Sequence, residues 1–357
     1  MSLHHLNDGL TRPRTARPGV GRFSRLAGLA AASLLLAACG GGGGGAGGEE
    51  DPAAAEAFPE DDITFVVPFS AGGPTDTVTR LVAEPIAEEL GANIIVQNVE
   101  GAGGTIAAGQ VAAANPDGYT VLMHHIGMST APSLYADLPF DPLEDFEPLG
   151  LVTQVPMTIV ARSDFEPETM EELVEYVQAN AGDITLANAG IGAASHLCGL
   201  LLQDALGVEL TEVPYEGTGP ALTDLVAGEV DLMCDQTTNT TGQIQAGQIK
   251  AYAVTTPERV ETLPDLPTTE EAGLEELQVG VWHGFYAPAG TPEGVQEELS
   301  TAILAALEDE NVVSQLGELG AAPFSQEEAT PEAHRQLLEE QIQQWQSIIE
   351  EAGVAPN

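Results

Sequence analysis

Three glycine-rich stretches carry the chemistry that can be read first. They are Pro68-Phe69-Ser70-Ala71-Gly72-Gly73-Pro74-Thr75-Asp76, Gly101-Ala102-Gly103-Gly104-Thr105, and Ala189-Gly190-Ile191-Gly192-Ala193-Ala194-Ser195-His196. Each follows a short apolar run and precedes a segment with helical spacing. Glycine lets the backbone come close to a ligand, and the first N–H groups of a helix have no partner inside it. Those donors, together with the helix dipole, bind anions. Ser70, Thr75, Thr105 and Ser195 add hydroxyls. One such turn is more often purely structural; three of one design put an anion site level with the structural reading. Gly73 is where a β-branched side chain is expected to do most harm, by blocking backbone approach and resisting a positive φ.

Anion sites commonly use Arg or Lys, and this chain has few. It holds 55 Asp and Glu against 10 Lys and Arg, a net charge of −45. Five of the basic residues, Arg12, Arg14, Arg17, Arg22 and Arg25, precede residue 26. From Cys39 onward only Arg80, Arg162, Lys250, Arg259 and Arg335 remain, against every acid but Asp8. Arg80 lies one helical turn beyond Asp76, placed either at the anion or in an i,i+4 pair with Glu84. The anion is therefore expected on neutral N–H donors, hydroxyls and water. The same balance excludes a reader of nucleic-acid phosphates and disfavours an anionic membrane surface. Salt shortens the Debye length from about 10 Å at 0.1 M to about 3 Å at 1 M. The scattered acids thus read as the solvated surface of a halophile.

The remaining chemistry-bearing residues are less telling. His124 and His125 adjoin on a strand, so they point to opposite faces and do not share a metal easily. One of them could face the ligand. His196 opens the helix of the third turn, where packing or capping is its ordinary use. Asp76 could act as a general base, as a helix N-terminal acid, or as a holder of water, but no activated nucleophile accompanies it. No G-x-S-x-G elbow, H-E-x-x-H or C-x-x-C is present, so neither an enzyme, a metal nor a cofactor is expected. Cys198 and Cys234 are either a disulfide, which export permits, or two buried free thiols.

Short apolar strands alternate with helices from Ile63 onward. Strands are predicted at 63–68, 94–99, 120–125, 158–161, 184–187, 230–234 and 249–255. Helices are predicted at 75–90 (kinked at Pro85), 105–114, 169–180, 195–206, 220–227, 292–307 and 331–351. Such alternation gives an α/β fold with mainly parallel sheets flanked by helices. Length supports two domains.

The amino terminus is an address. The apolar run 26–38 is too short for a bilayer of about 30 Å, which needs about 20 residues, and fits a signal-peptide core behind a basic region. It ends Leu36-Ala37-Ala38-Cys39-Gly40, which resembles a bacterial lipobox. That implies cleavage before Cys39 and lipidation of its thiol. Residues 39–61 are glycine-rich, then acidic, and read as a flexible tether.

The ordered turns resemble the extracytoplasmic solute receptors of tripartite tricarboxylate transporters, the Bug or TctC-like family. The likeness runs from Ile63 to about Gly353. It includes Val67-Pro68-Phe69, Asn115-Pro116-Asp117-Gly118-Tyr119-Thr120 and Val213-Pro214-Tyr215-Glu216-Gly217-Thr218. It continues through Gly228-Glu229-Val230-Asp231, Leu263-Pro264-Asp265-Leu266-Pro267-Thr268 and Ala287-Pro288-Ala289-Gly290-Thr291-Pro292. The resemblance implies a two-domain, type II-like periplasmic-binding-protein clamshell, with domain one at 62–161 plus 282–357 and domain two at 162–281. It implies an organic carboxylate held between the domains. The contacts carried over are Ser70, Ala71, Gly72, Gly73, Thr75 and Asp76, then Gly103, Gly104 and Thr105, then Ala193, Ala194, Ser195, His196 and Asp235. Three positions depart from the family pattern: the doubled Ala193-Ala194 before Ser195, Cys234 in place of an aromatic residue, and His124-His125 at a strand end.

A monomeric, membrane-anchored extracytoplasmic lipoprotein that captures a di- or tricarboxylate and hands it to a membrane permease is thus expected. A sensor of the same fold serving a two-component kinase, and an exported hydrolase using Asp76 or His196, are the alternatives.

Overall fold

The computed structural model describes residues 58–351 and 354–356. The residues read from sequence as a signal peptide, Cys39 with its expected lipidation, and most of the expected 39–61 tether lie outside the described residues. The last tether residues belong to the folded body. Phe58 packs edge-on against Tyr119 with ring centroids 5.2 Å apart, and Glu60 N donates to the Tyr119 hydroxyl at 2.9 Å.

The chain builds a mixed α/β body around strands that share one long element. The first part runs β1 (Ile63–Val67), α1 (Pro74–Leu90), β2 (Ile94–Asn98), α2 (Thr105–Ala112), β3 (Thr120–His125) and α3 (Gly127–Leu134). The 17-residue β4 (Phe146–Arg162) follows. Then come α4 (Met170–Asn180), β5 (Thr185–Asn188), α5 (Ala194–Leu206), β6 (Thr211–Pro214), α6 (Thr218–Ala227), β7 (Leu232–Gln236), α7 (Thr237–Gln245) and β8 (Ile249–Val254). The chain returns through β9 (Gly280–Pro288), α8 (Glu293–Leu307), α9 (Glu310–Glu318), the short β10 (Ala322–Pro323) and α10 (Pro331–Glu351).

Parallel pairing, expected from the alternation, holds on the outer arms: β1 with β2 and β3, and β5 with β6 and β7. The centre is antiparallel, built by β4 and β9, which the alternation did not show. Residues 146–156 of β4 pair with β9, whereas Met157 to Arg162 pair with β7 and β8. One strand thus passes from one sheet into the other. Helix α1 runs on through Pro85 to a left-handed cap at Gly91.

The inner strands of each sheet are covered on both faces and buried along most of their length, whereas the edge strands β2 and β6 are partly exposed. In the first sheet, Ile63 and Phe65 pack with Val78, Val82 and Ile86 of α1 and Leu299 and Ile303 of α8. In the second, Leu232 and Cys234 face Leu197, Cys198 and Leu202 of α5, while Met233 faces Leu222 and Leu225 of α6. Cys198 and Cys234 are joined by a disulfide with Cα atoms 5.9 Å apart, which settles the pairing the sequence left open.

Candidate functional site

The three glycine turns do not converge on one point; they meet in pairs. The first turn abuts Glu216-Gly217-Thr218-Gly219, where Ser70 N donates to Glu216 O at 3.0 Å. A Cβ added at Gly219 would lie 3.3 Å from Gly73 N. The second turn packs on the third. Gly103 has φ +60, and a Cβ placed on it would overlap the Ile191 carbonyl. Above this contact, the Tyr135 hydroxyl sits 2.7 Å from both Ala102 O and Ile191 O, its one proton serving one carbonyl at a time.

Between these pairs lies a small buried cavity of about 20 Å³. Four helices begin at its wall. Pro74 opens α1, Ala194 opens α5, Thr218 opens α6, and Gln236 precedes α7. None of the four has a side-chain cap. Their N–H groups and dipoles supply positive potential without any charged side chain. Thr75, Ser195 and Thr218 bring hydroxyls to the same wall, and Phe69, Pro74 and Ala189 bring apolar surface.

Of the residues the sequence nominated, Thr75, Ala193, Ala194, Ser195 and Asp235 line this cavity. Ser70 is not on its wall; it is buried, its hydroxyl without a partner. Gly73 is buried in the first turn with φ −82, so the positive φ argued for it from sequence is absent. Ala71 and Gly72 are exposed. Thr105 spends its hydroxyl on Ala102 O at 2.9 Å, and Gly103 and Gly104 belong to the contact with the third turn and with His124. His196 stands outside the cavity wall, accepting from Gly192 N at 3.3 Å with Glu212 3.7 Å from its other nitrogen.

Asp76 ties the first turn together. It accepts from Gly72 N at 2.8 Å, Arg80 at 2.9 Å and Asn98 at 3.0 Å. Burial raises its pKa, but these bonds outweigh burial and hold the carboxyl below its ordinary value. Arg80 therefore pairs back to Asp76 at i−4 rather than forward to Glu84, because Asp76 sits in the first turn of α1 beside unpaired N–H groups. The other four basic residues of the body are likewise committed: Arg162 to Asp231 at 2.9 Å, Arg259 to Glu271 at 2.8 Å, Arg335 to Glu147 at 3.4 Å, and Lys250 to Glu168.

The cavity residues that sequence reasoning missed are Phe69, Pro74, Ala189, Thr218 and Gln236; His125 was weighed but not assigned. The expectation that His124 and His125 diverge fails, because β3 ends at His125 and the chain turns there. Their ring centroids lie 5.0 Å apart, His125 stacks on Phe69 at 4.7 Å, and His283 lies 5.8 Å from His125. His283 Nε2 lies 3.3 Å from the Thr75 hydroxyl. Burial pushes His124 down to about 4, His283 down to about 3, and His125 well below its ordinary value, so all three are neutral imidazoles at pH 7. Among the described residues no group of three or more His, Cys, Asp or Glu could hold a metal ion. Ser195 Oγ accepts from Ala189 N at 2.9 Å and has no hydrogen-bonded base.

Two α/β lobes joined by crossing strands, with unbalanced helix N-termini at the join, make a solute-binding protein of the clamshell type. Comparison places it more closely. The family model of the tripartite tricarboxylate transporter family receptor matches residues 78–354, and the chain belongs to that family. It is 49% identical over 300 residues to the UPF0065 protein in the TAR-I ttuE-ttuC' intergenic region of Agrobacterium vitis, covering 84% of this chain and 87% of that one. Among solved structures it superposes on the periplasmic binding protein BugD with a TM-score of 0.83 at 53% identity, covering 84% of this chain and all of that one. MatC from Rhodopseudomonas palustris with bound malate gives 0.80 at 42% identity, covering 82% of this chain and all of that one.

Proposed function

We propose that the protein is an exported lipoprotein that captures an organic di- or tricarboxylate in this cavity and delivers it to a tripartite tricarboxylate-type membrane transporter. The observation that carries the reading is the convergence of four uncapped helix N-termini on a cavity whose wall, among the described residues, holds no Arg or Lys, each of these being paired to a carboxylate. Such a place stabilises an anion through fixed dipoles and N–H donors. The malate held by MatC and the periplasmic placement of BugD support the same class of ligand and the same compartment. Cys39 would carry the lipid anchor. No catalysis is assigned: the one hydroxyl–imidazole pair at the cavity, Thr75 with His283 Nε2 at 3.3 Å, has no third group on His283 Nδ1 to orient it as a base.

We take the lobes as 62–161 plus 282–357 and 162–281. The hand-over of β4 pairing at Pro156 and Met157, five residues before the expected crossing, and the start of β9 at Gly280 support hinges close to those crossings. A space of about 20 Å³ has room for a water and not for a diacid, so the lobes part to admit the ligand.

A thermal-shift screen of di- and tricarboxylates in molar salt tests the reading. A ligand at 100 times its Kd adds about 2.7 kcal/mol. A panel in which no acid raises the melting temperature would refute carboxylate capture. Loss of uptake of the bound acid on deleting the protein from its cell tests delivery.

A further inference from the structure

Asp235 is the one carboxyl on the wall of the ligand cavity, and it is fully buried. One oxygen, Oδ2, accepts from the Asn239 amide. The other, Oδ1, has no partner in the protein, and neither has Oε1 of Gln236 on the same wall. The groups facing Asp235 are neutral on every side. Thr158 of β4 donates to its backbone carbonyl at 3.0 Å, Asn239 comes from α7, and Thr218 and Ser195 open α6 and α5. Across the cavity stand Thr75 of α1, His125 of β3 and, behind Thr75, His283 of β9. Both imidazoles are uncharged at neutral pH because they are buried. The nearest acid on α1, Asp76, is already engaged by Arg80, and His196 on α5 faces Glu212.

A carboxylate ligand arriving here, as the proposed function requires, sets a second negative charge beside Asp235. The four helix N-termini can serve one carboxylate well. Two carboxylates in contact without a cation do not both stay ionised; they share a proton. We infer that Asp235 is protonated in the liganded protein and donates from Oδ1 to a carboxylate oxygen of the ligand, so that capture of the acid takes up one proton from solvent. The O–H of Asp235 then meets its unpartnered oxygen's need and neutralises the repulsion at once. In the free protein burial already pushes Asp235 up to about 7, against the Asn239 amide and the nearby Gln236 N–H and Thr218 hydroxyl, which favour the anion. The site is therefore poised near neutrality.

The test uses the mature protein in molar NaCl with malate, succinate and adipate as probes. Calorimetry at pH 6 to 9, in phosphate and in Tris, reads protons taken up per ligand. At pH 8.5 close to one proton is expected, and Kd should rise tenfold per pH unit above about pH 8. Asp235→Asn keeps a donor at the same place, so it should bind with a Kd flat in pH and take up no proton. Carbon NMR of the aspartate carboxyls, assigned by the same variant, should show Asp235 titrating above pH 6 without any ligand. Zero uptake with pH-independent binding would overturn the inference. So would an Asp235 carboxyl titrating near 4, or a strong preference for aspartate and glutamate over malate and succinate that disappears in Asp235→Asn, because Asp235 would then be an ionised partner for an ammonium group. If no acid of the panel binds at pH 6 and NMR still gives the raised titration, the failure lies with the carboxylate reading of the cavity and takes this inference with it.

Discussion

Replacing Gly103 by alanine tests whether the second and third turns close the cleft. Gly103 and Gly91 have nearly the same backbone, with φ +60 and +64. Alanine in the left-handed region costs about 1–2 kcal/mol at either place. The two sites differ in what the new methyl meets. At Gly91 nothing lies within 4 Å, whereas at Gly103 the methyl overlaps the Ile191 carbonyl and lies 2.9 Å from the Tyr135 hydroxyl. The Ile191 carbonyl belongs to backbone and no rotamer relieves it, so the turns must separate. Overpacking of this kind costs about 1–3 kcal/mol. Losing the Tyr135 bond adds about 0.5–1.5 kcal/mol. A closed form weakened by about 1.5–4.5 kcal/mol beyond the control raises Kd roughly 10- to 1,600-fold. Calorimetry on Gly103→Ala and Gly91→Ala, with the tightest acid of the screen and in one salt, measures it, and urea unfolding of both variants removes the shared backbone cost. If Gly103→Ala binds within threefold of Gly91→Ala, the contact between the turns does not govern binding and this account of closure is wrong.

Other expectations are simpler. Arg80→Gln should weaken binding less than about fivefold, because Arg80 supports the first turn through Asp76 and does not reach the cavity; the same calorimetry reads it. Cys198 and Cys234 should resist alkylation until reduced, and the double serine variant should lose about 2–4 kcal/mol in denaturant unfolding, since the bridge closes a separation of 36 residues. Cys39→Ser should accumulate as unlipidated precursor or soluble protein, visible by metabolic labelling with a fatty acid; an equally processed, membrane-bound variant would remove the anchor from the account.

Much of this fold was legible where local pattern decides it. β1, β3, α1 and α10 have apolar runs or apolar faces bounded by glycine, proline or an acid, and they lie where periodicity puts them. β9 was not legible. Its sequence, Gly-Val-Trp-His-Gly-Phe-Tyr-Ala-Pro, is buried on both faces and so shows no alternation, and two glycines disguise it. β4 was read only at residues 158–161, because Pro148, Gly150 and Pro156 interrupt the strand pattern before them. α7 reads Thr-Thr-Asn-Thr-Thr-Gly-Gln-Ile-Gln and has neither an apolar face nor helix propensity. Tertiary bonds hold it, from Thr240 to Thr158 at 2.9 Å and from Thr237 to Gly320 O at 3.1 Å.

The site divides in the same way. The glycine turns suggested the proposed anion site because their chemistry is local. Which turn faces which depends on contacts between residues far apart in the chain, such as Gly103 with Ile191 and Ser70 with Glu216, so Thr218 and Gln236 went unseen and Asp76 looked like a ligand contact. The paucity of cations was visible in the composition. That each of the five is spent on a carboxylate became visible only in three dimensions.

The central claim is that an organic acid is held here by neutral donors. A crystal structure of the protein with the tightest acid of the screen decides it. The account predicts a carboxylate in the cavity of Thr75, Ser195, Thr218 and Asp235, its oxygens within about 3.2 Å of backbone N–H groups, hydroxyls or bridging water. Arg80 should remain on Asp76. A direct ion pair from any of the five basic residues to the ligand, or an acid bound away from that cavity, would contradict it.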